Sequence, residues 1–422
     1  MVNKRDLIRV SEAIKKMMGY SYHGKKEYVA IEDSYRRYLA EDIIADHDVP
    51  RFDRSPFDGF AIRSCDTKEA SRDNPVTLSV VGEIGADSIF KQHVQHNQAV
   101  RIMTGAQIPT GCDAVIMLEL VKEQRTEAII RIKRKIKPNE NISFQAEDTG
   151  KGTVIAKKGT VINPGMVALL ATFGYKNVPV SVQPKVGVIA TGSELLTVDE
   201  PLVPGKIRNS NSYMIQAQLK RVGAKAAYFG KFSDDIEVCF KQMKEALNQF
   251  DFLITTGGVS VGDYDYLPAI YRKLEATVLF NKVGMRPGSV TTVAEVEGKL
   301  LFGLSGNPSA CFVGFELFVR PIIRTFLSDP KPFPKTVKAV LGADFLKPNP
   351  FDRYVRASTT YQDTQLVATP VGLDKSNVVS SLGSATVLIV LPGGTKGYQA
   401  GEKVWILLLD DPDGDTSYQN PR

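Results

Sequence analysis

Residues 255–266 read TTGGVSVGDYDY and continue the apolar run DFLIT. Gly257 and Gly258 at the end of a buried strand leave the backbone open where any side chain would obstruct an approaching ligand. Asp263 and Asp265 then stand ahead of YLPAIYRKLE, a helical stretch that accommodates Pro268 in its first turn. Taken singly, Asp265 reads as a helix cap.

Three more strand ends carry the same residue types. VIATGSELL ends in Thr191, Gly192, Ser193 and Glu194, YFGKFSDD in Ser233, Asp234 and Asp235, and LLFGLSGNPSACF in Ser305, Gly306, Asn307, Pro308 and Ser309. Glycines and small hydroxyls suit a phosphate cradle made of backbone N–H groups, and carboxylates on neighbouring ends suit a hydrated divalent cation. The joint pattern points to a phosphate-bearing organic ligand bridged to Mg²⁺. Two further segments, RSPFDGFAIR and AVRIMTGAQIPTGCDAVIMLE, set Asp58 and Thr104 among Gly and Pro turns, and each alone reads as a turn.

The elements that must position these residues follow from the hydrophobic period. Between residues 183 and 328, the strand-like runs KVGVIAT, AKAAYFGKF, DFLITTG and KLLFGLSG alternate with the helical stretches NSYMIQAQLKRVG, IEVCFKQMKEALNQF, YLPAIYRKLE and SACFVGFELFVRPIIRTFL. That alternation predicts a doubly wound parallel sheet covered on both faces, with ligands bound beyond the carboxyl ends of its strands. Residues 51–145 switch to short runs such as VTLSVVGEI and DAVIMLE punctuated by Gly and Pro, a β domain. After a Pro-rich linker, SDPKPFPK, residues 335–412 return to β, a C-terminal barrel-like domain. Residues 1–50, with helices SEAIKKMM and SYRRYLAEDI around the strand EYVAIED, join residues 146–182, with the helix GMVALLATFG, in a small discontinuous N-terminal domain. The fold class is multidomain α/β plus β.

Composition sets the outer limits. A chain of 422 residues, 43% hydrophobic and 24% charged, suits a soluble multidomain protein, and no apolar run approaches the length of a membrane span. The start, MVNKRDLIRVSEAIKKMM, lacks the pattern of a secretory signal, so a cytoplasmic location is expected. Cys65, Cys112, Cys239 and Cys311 have no paired spacing and read as reduced packing residues. His93 and His96 in KQHVQHNQ read as a solvated loop rather than a metal site, since no third ligand is near. A net charge of +6 suits an anionic ligand. The basic residues are spread out, and the one dense run, RIKRKIK, alternates as an amphipathic strand, so no nucleic acid is expected.

SPFDGFAIR, RIMTGAQIP, DAVIMLE, ATGSELL, TTGGVSVGDYDY, MRPGSV and GLSGNPSA, in this order, resemble the MoeA family of molybdopterin molybdenumtransferases, to which the E domain of gephyrin is related. The resemblance runs from about residue 5 to 410, with GGVSVGDYDY and SGNPSA its most specific signals. It implies a Mg²⁺-dependent homodimer that inserts molybdenum from molybdate into adenylylated molybdopterin and releases AMP. The active cleft would lie between the molybdopterin-binding α/β domain of one subunit and the β domain of the other. By that likeness Asp58 and Thr104 line the cleft from the β domain, and Glu194, Asp234 or its neighbour Asp235, and Asp265 form an acidic set that holds the cation. Thr191, Gly192, Gly257, Gly258, Ser260, Ser305, Gly306 and Asn307 bind pterin and phosphates. Arg353 in FDRYVRA and Ser380 or Ser381 in NVVSSLGSA resemble C-terminal positions that reach the cleft.

The chain departs from the family's lysine-bearing KPGKP, having RPGSV instead. Arg286 keeps a cation there while Ser289 loses one, so anion affinity differs from the usual pattern. Pro56 and Phe57 stand where small residues or methionine are usual before the Asp-Gly pair, a change of packing. The molybdopterin adenylyltransferase, and apo-molybdoenzymes or their chaperones, are partners the resemblance suggests. Readings outside the insertase are a scaffold or cofactor carrier, and a tungsten-specific paralogue.

Overall fold

The computed structural model describes residues 6–232, 235–258, 267–348, 350–411 and 413–419. Asp234, Ser260, Asp263 and Asp265 lie outside the described residues. The chain forms two compact units, one of residues 42–157 and one that joins residues 1–41 to 158–422.

The first unit is built on a six-stranded sheet in the order Ala114–Met117, Gly59–Ile62, Gln98–Ile102, Val76–Ile84, Ile129–Ile132, Val121–Gln124. Its neighbours run antiparallel except Val76–Ile84 beside Gln98–Ile102. Period-two alternation gives the sheet two apolar faces. Phe60, Ile62, Leu78 and Ile116 share one core, and Ala61, Val100, Ile102 and Val115 the other. Gly59 is required by the close strand beside it, since a Cβ there would lie 2.2 Å from the Ile116 carbonyl oxygen. The amphipathic strand expected of RIKRKIK stops at Ile132; beyond it, buried Ile136 donates its N–H to the Thr67 hydroxyl at 2.9 Å instead of continuing a ladder.

In the second unit, strand Lys26–Ala30 pairs antiparallel with Asn177–Ser181, so the two stretches that flank residues 42–157 meet in one ribbon. Helix Val10–Met18 buries Val10, Ala13, Ile14 and Met17, and helix Pro164–Thr172 is capped by Asn163. The helix expected of SYRRYLAEDI is absent. Arg36 adopts a φ of 62°, and the N–H groups of Arg36, Leu39 and Ala40 donate to the carbonyls of Ile162, Thr160 and Pro179. Pairing with neighbouring chain therefore replaces the local turn-to-turn bonds.

The α/β sheet has the order Lys225–Lys231, Lys185–Ala190, Phe252–Thr256, Lys299–Leu304, Thr292–Val296, Thr277–Phe280. The first four strands are parallel as expected, and the last two add an antiparallel edge that the helix-strand alternation did not signal. Val186, Val188, Phe252, Ile254, Leu300 and Phe302 face helix Ser210–Arg221 and the helical run 308–326, while Ile189, Leu253 and Leu301 face helices Ile236–Gln249 and Leu267–Lys273. Both faces are covered, which is the doubly wound arrangement. The run SACFVGFELFVRPIIRTFL is helical throughout, with a π-turn at Phe315–Val319 between Pro308–Gly314 and Arg320–Phe326. Pro321 has no N–H to donate to the preceding turn. Arg320 donates instead to Phe315, one residue further back than an α-helix would use.

Strands Thr336–Leu341, Asp352–Gln362, Gln365–Pro370, Val387–Leu391 and Lys403–Leu408 close into a five-stranded barrel, because Asp352–Gln362 pairs with both Gln365–Pro370 and Val387–Leu391. Val355, Ala357, Ile389 and Ile406 fill its interior. Outward-facing Tyr354, Leu388, Val390 and Leu407 join the core of the α/β domain, so the two domains share one apolar body. The expected linker SDPKPFPK is part of this packing: Phe333–Pro334 pairs with Gly414–Asp415, and Asp329 is ion-paired to Arg324.

A buried carboxylate fastens these parts. Glu316, fully buried within the π-turn, accepts a 2.6 Å hydrogen bond from Gln218 and pairs with Arg221 and Arg320. Arg320, 1% exposed, also donates to the Leu409 carbonyl at 3.0 Å and the Asp411 carbonyl at 3.2 Å, at the end of the barrel. Burial pushes its guanidinium pKa down from the usual value, with Glu316 acting in the opposite sense. Removing one partner of a buried pair leaves the other charge uncompensated and costs about 3–5 kcal/mol. Glu316→Ala is accordingly expected to lower unfolding stability by about that amount in urea denaturation, and a loss under about 1 kcal/mol would contradict this role for the network. Gly59→Ala is expected to cost about 1–3 kcal/mol by overpacking against Ile116, read from the thermal midpoint.

Candidate active site

The parallel strands end at one edge of the α/β sheet in register. Ala190 lies opposite Lys231 on one side and Thr256 on the other, and Thr256 lies opposite Leu304. One residue further on, the Thr191 N–H donates to Thr256 at 3.1 Å and the Gly257 N–H to Leu304 at 2.9 Å. Thr191, Gly257 and Ser305 therefore leave the sheet side by side. Above them opens a cleft of about 1160 Å³, large enough for a ligand with two heterocycles.

Glycine is structurally required at its floor. Gly257 has a φ of 98°, and a Cβ on it would lie 2.6 Å from the Thr191 hydroxyl oxygen. A Cβ on Gly306 would lie 3.6 Å from the Gly257 Cα, so the two loops approach each other through bare backbone. Ser305 is 6% exposed and its hydroxyl accepts the Asn307 N–H at 3.2 Å. Asn307 precedes helix Pro308–Gly314 without spending its side chain on a cap.

Of the residues proposed from sequence, Thr191, Gly192, Glu194, Gly257, Gly258, Ser305, Gly306 and Asn307 line this one cleft. Glu194 is exposed and its carboxylate has no hydrogen bond or ion pair among the described residues. Asp235 does something else: its Oδ1 accepts the N–H groups of Glu237 at 2.8 Å and Val238 at 3.1 Å, capping helix Ile236–Gln249. Among the described residues no group of three or more His, Cys, Asp or Glu side chains could hold a metal ion. His96 instead bonds Asp66 at 2.7 Å.

The C-terminal candidates are arranged differently from one another. Arg353 pairs with Asp374 and stacks 5.2 Å from the Phe345 ring centroid. Ser381, 3% exposed, accepts a 2.7 Å hydrogen bond from Arg356, and Ser380 is exposed; neither serine lines the cleft. Ser376 and Asn377 line it in their place, on a strap tied to Ser309, whose N–H donates to Ser376 at 3.0 Å and whose hydroxyl donates to Val378 at 2.6 Å. Buried Arg356 holds the same strap from the barrel side through the Leu373 carbonyl at 2.9 Å. Arg286 is exposed, with its guanidinium 5.9 Å from the Phe351 ring, and Ser289, not Arg286, reaches the cleft.

Asp58 and Thr104 belong to the other compact unit. There the Asp58 Oδ1 accepts the Thr104 N–H at 2.7 Å and its hydroxyl at 2.8 Å, and these bonds hold the exposed carboxyl below its ordinary pKa. An exposed carboxylate with one oxygen unengaged among the described residues is available to a ligand.

Sequence reasoning passed over Arg208, Asn211, Ser376 and Asn377, all of which line the cleft. Arg208 and Asn211 flank the N-cap Asn209 of helix Ser210–Arg221, a signal present in RNSNSYM. Ser376 and Asn377 reach the site through tertiary packing alone.

No helix of the described residues is long and apolar enough to cross a membrane. Family models match the MoeA N-terminal region (domains I and II) at residues 8–174, a probable molybdopterin-binding domain at 187–325, and the MoeA C-terminal region (domain IV) at 338–409. Molybdopterin molybdenumtransferase of Bacillus subtilis is 56% identical over 416 residues, covering 98% of this chain and 97% of that protein. The protein of the same name from Staphylococcus aureus is 50% identical over 410 residues, with 97% of each chain covered. The crystal structure of the molybdopterin biosynthesis MoeA protein from Pyrococcus horikoshii superposes with a TM-score of 0.82 at 32% identity, over 96% of this chain and all of that one. A likeness that spans every domain and reaches this level of identity is membership: the chain belongs to the MoeA family.

Proposed function

We propose that the protein is a molybdopterin molybdenumtransferase, acting in molybdenum cofactor biosynthesis. It takes adenylylated molybdopterin and molybdate, inserts molybdenum between the dithiolene sulfurs, and releases AMP as the phosphoanhydride is cleaved. The observation that carries this reading is the strand-end cleft, in which a glycine floor adjoins the carboxylate of Glu194, unengaged among the described residues, in a chain matched over 98% of its length by a relative of that name.

The residues divide the work by chemistry. Backbone N–H groups around Gly258 and Gly306 cradle phosphate. Ser305 and Asn307 donate to pterin and phosphate oxygens, and Thr191, whose N–H and hydroxyl both donate to the Thr256 carbonyl, shapes the floor beside them. Mg²⁺ keeps several waters and needs only one or two carboxylates beside substrate phosphates, and the carboxylate of Glu194 beside the cradle fits that demand. When bound, Mg²⁺ would neutralise charge that develops on the phosphates during cleavage. Asp234 and Asp265 complete the acidic set in this proposal, with Asp235 serving the fold as a cap. Ser260 adds to the pterin site. Arg353, Ser380, Ser381 and Arg286 do not line the cleft and are assigned no contact with the ligand; Ser381 instead accepts from Arg356, and Arg353 pairs with Asp374.

Asp58 and Thr104 are proposed to complete the cleft of a second subunit, which makes the functional form a homodimer in the cytoplasm. The adenylyltransferase that supplies the nucleotide-linked pterin, and apo-molybdoenzymes or their chaperones, are its proposed protein partners.

Two measurements test the reading. Purified protein with adenylylated molybdopterin, Mg²⁺ and molybdate is expected to release AMP, detected by chromatography, in a molybdate-dependent manner, and Glu194→Gln is expected to slow release by about tenfold or more at unchanged thermal stability. Full activity of Glu194→Gln would remove this residue from the mechanism, and no AMP release by the wild type would refute the assignment. Gly257→Ala places a methyl group against Thr191 and is expected to weaken pterin binding by about tenfold or more, measured by fluorescence titration.

A further inference from the structure

Arg208 is the one cationic side chain among the described residues that line the cleft, and Glu194 the one anionic side chain. A phosphate-bearing ligand is held more strongly when a charged guanidinium adds to backbone N–H groups. The Arg208 guanidinium is exposed and has no carboxylate partner among the described residues; its one hydrogen bond among them, to the Glu200 carbonyl, is long at 3.4 Å. It therefore pays little to exchange that bond for an oxyanion.

Its position gives it a direction. Arg208 ends a short strand, Ile207–Arg208, paired in parallel with Leu195–Leu196, so it sits across from the segment that carries Glu194. The next residue, Asn209, caps the 12-residue helix Ser210–Arg221 by accepting the Ser212 N–H at 3.1 Å. The first N–H groups of that helix and its dipole favour an anion at the same end of the cleft. A second, independent observation lies one residue into the helix. Asn211 lines the cleft and is 8% exposed; its side-chain N–H donates to the Gly306 carbonyl at 2.8 Å, and its carbonyl oxygen is buried with no donor among the described residues. An orphaned acceptor in a ligand cleft costs free energy until a ligand N–H satisfies it.

Resting on the activity proposed above, we infer that Arg208 and the start of helix Ser210–Arg221 form the subsite for the adenylate phosphate, with Arg208 the residue that discriminates a nucleotide from a nucleoside and Asn211 offering its carbonyl oxygen to a ligand N–H. This subsite adds to the glycine floor, which lies at the strand ends and carries no fixed charge.

The test measures AMP and adenosine binding to the full-length protein by calorimetry, for wild type, Arg208→Ala and Arg208→Lys, with thermal midpoints as a check on folding. Loss of one charge-assisted contact corresponds to about a 10- to 100-fold weaker AMP affinity in Arg208→Ala. Adenosine affinity is expected to stay unchanged, and Arg208→Lys to fall between, since lysine keeps the charge without the planar fork. Equal weakening toward AMP and adenosine would indicate a merely structural role and overturn the inference. So would AMP binding unchanged in both variants, an outcome that leaves the insertase reading intact. Wild-type protein that neither binds AMP nor releases it would overturn both. If Arg208→Ala melts early, Arg208→Lys decides by the same two ligands.

Discussion

A single buried carboxylate organises the larger unit. Glu316 sits where the helical run 308–326 widens into a π-turn, and it binds Gln218 and Arg221 on helix Ser210–Arg221 together with Arg320, which in turn reaches the end of the barrel. The two helices joined in this way are the ones whose first residues, Asn211 and Asn307, stand in the cleft. Charge pairing at one end of a helix thus sets the position of hydrogen-bonding groups at the other. Interdigitated apolar side chains pack the helices, and the carboxylate with three directional partners adds hydrogen-bond geometry to that packing.

Much of this arrangement was legible in the sequence because it rests on local rules. Alternation of Val186, Val188 and Ile189 between two apolar faces, and glycine after a buried strand at Gly257, are statements about period and about missing Cβ atoms. Part of what escaped depends on distant chain. SYRRYLAEDI has a helical composition, yet its N–H groups bond to Ile162, Thr160 and Pro179. The antiparallel strands Thr292–Val296 and Thr277–Phe280 were missed although the two-residue turn Glu297-Gly298, at φ 50° and 80°, marks a hairpin between Thr292–Val296 and Lys299–Leu304. In the site itself, glycines were easier to find than cations. Arg208 lies amid an exposed loop where charge is ordinary, and only the cleft gives it meaning. Asp235 shows the converse, a carboxylate in a suggestive motif that serves as a cap.

The strap that carries Ser376 and Asn377 connects two kinds of support. Ser309 ties it to the start of helix Pro308–Gly314, and Arg356 ties it to the barrel. The barrel's outward face, through Tyr354, Leu388 and Val390, shares a core with the helices of the α/β domain. A surface loop that would otherwise sample many conformations is thereby held at the cleft by hydrogen bonds from two rigid bodies, which lowers the ordering cost of binding.

The ribbon between Lys26–Ala30 and Asn177–Ser181 has a meaning for synthesis as well as for the folded state. Ala30 pairs with Asn177, so the first strand among the described residues has no partner until well over a hundred further residues have been made. At about 5–20 residues per second, that wait lasts on the order of 10 seconds or more. During it, residues 42–157 can complete both faces of their own sheet, while the amino-terminal strand, with Tyr28 exposed even in the finished protein, remains an open edge. The order of synthesis therefore lets the inserted unit form before the segment that precedes it finds its partner strand.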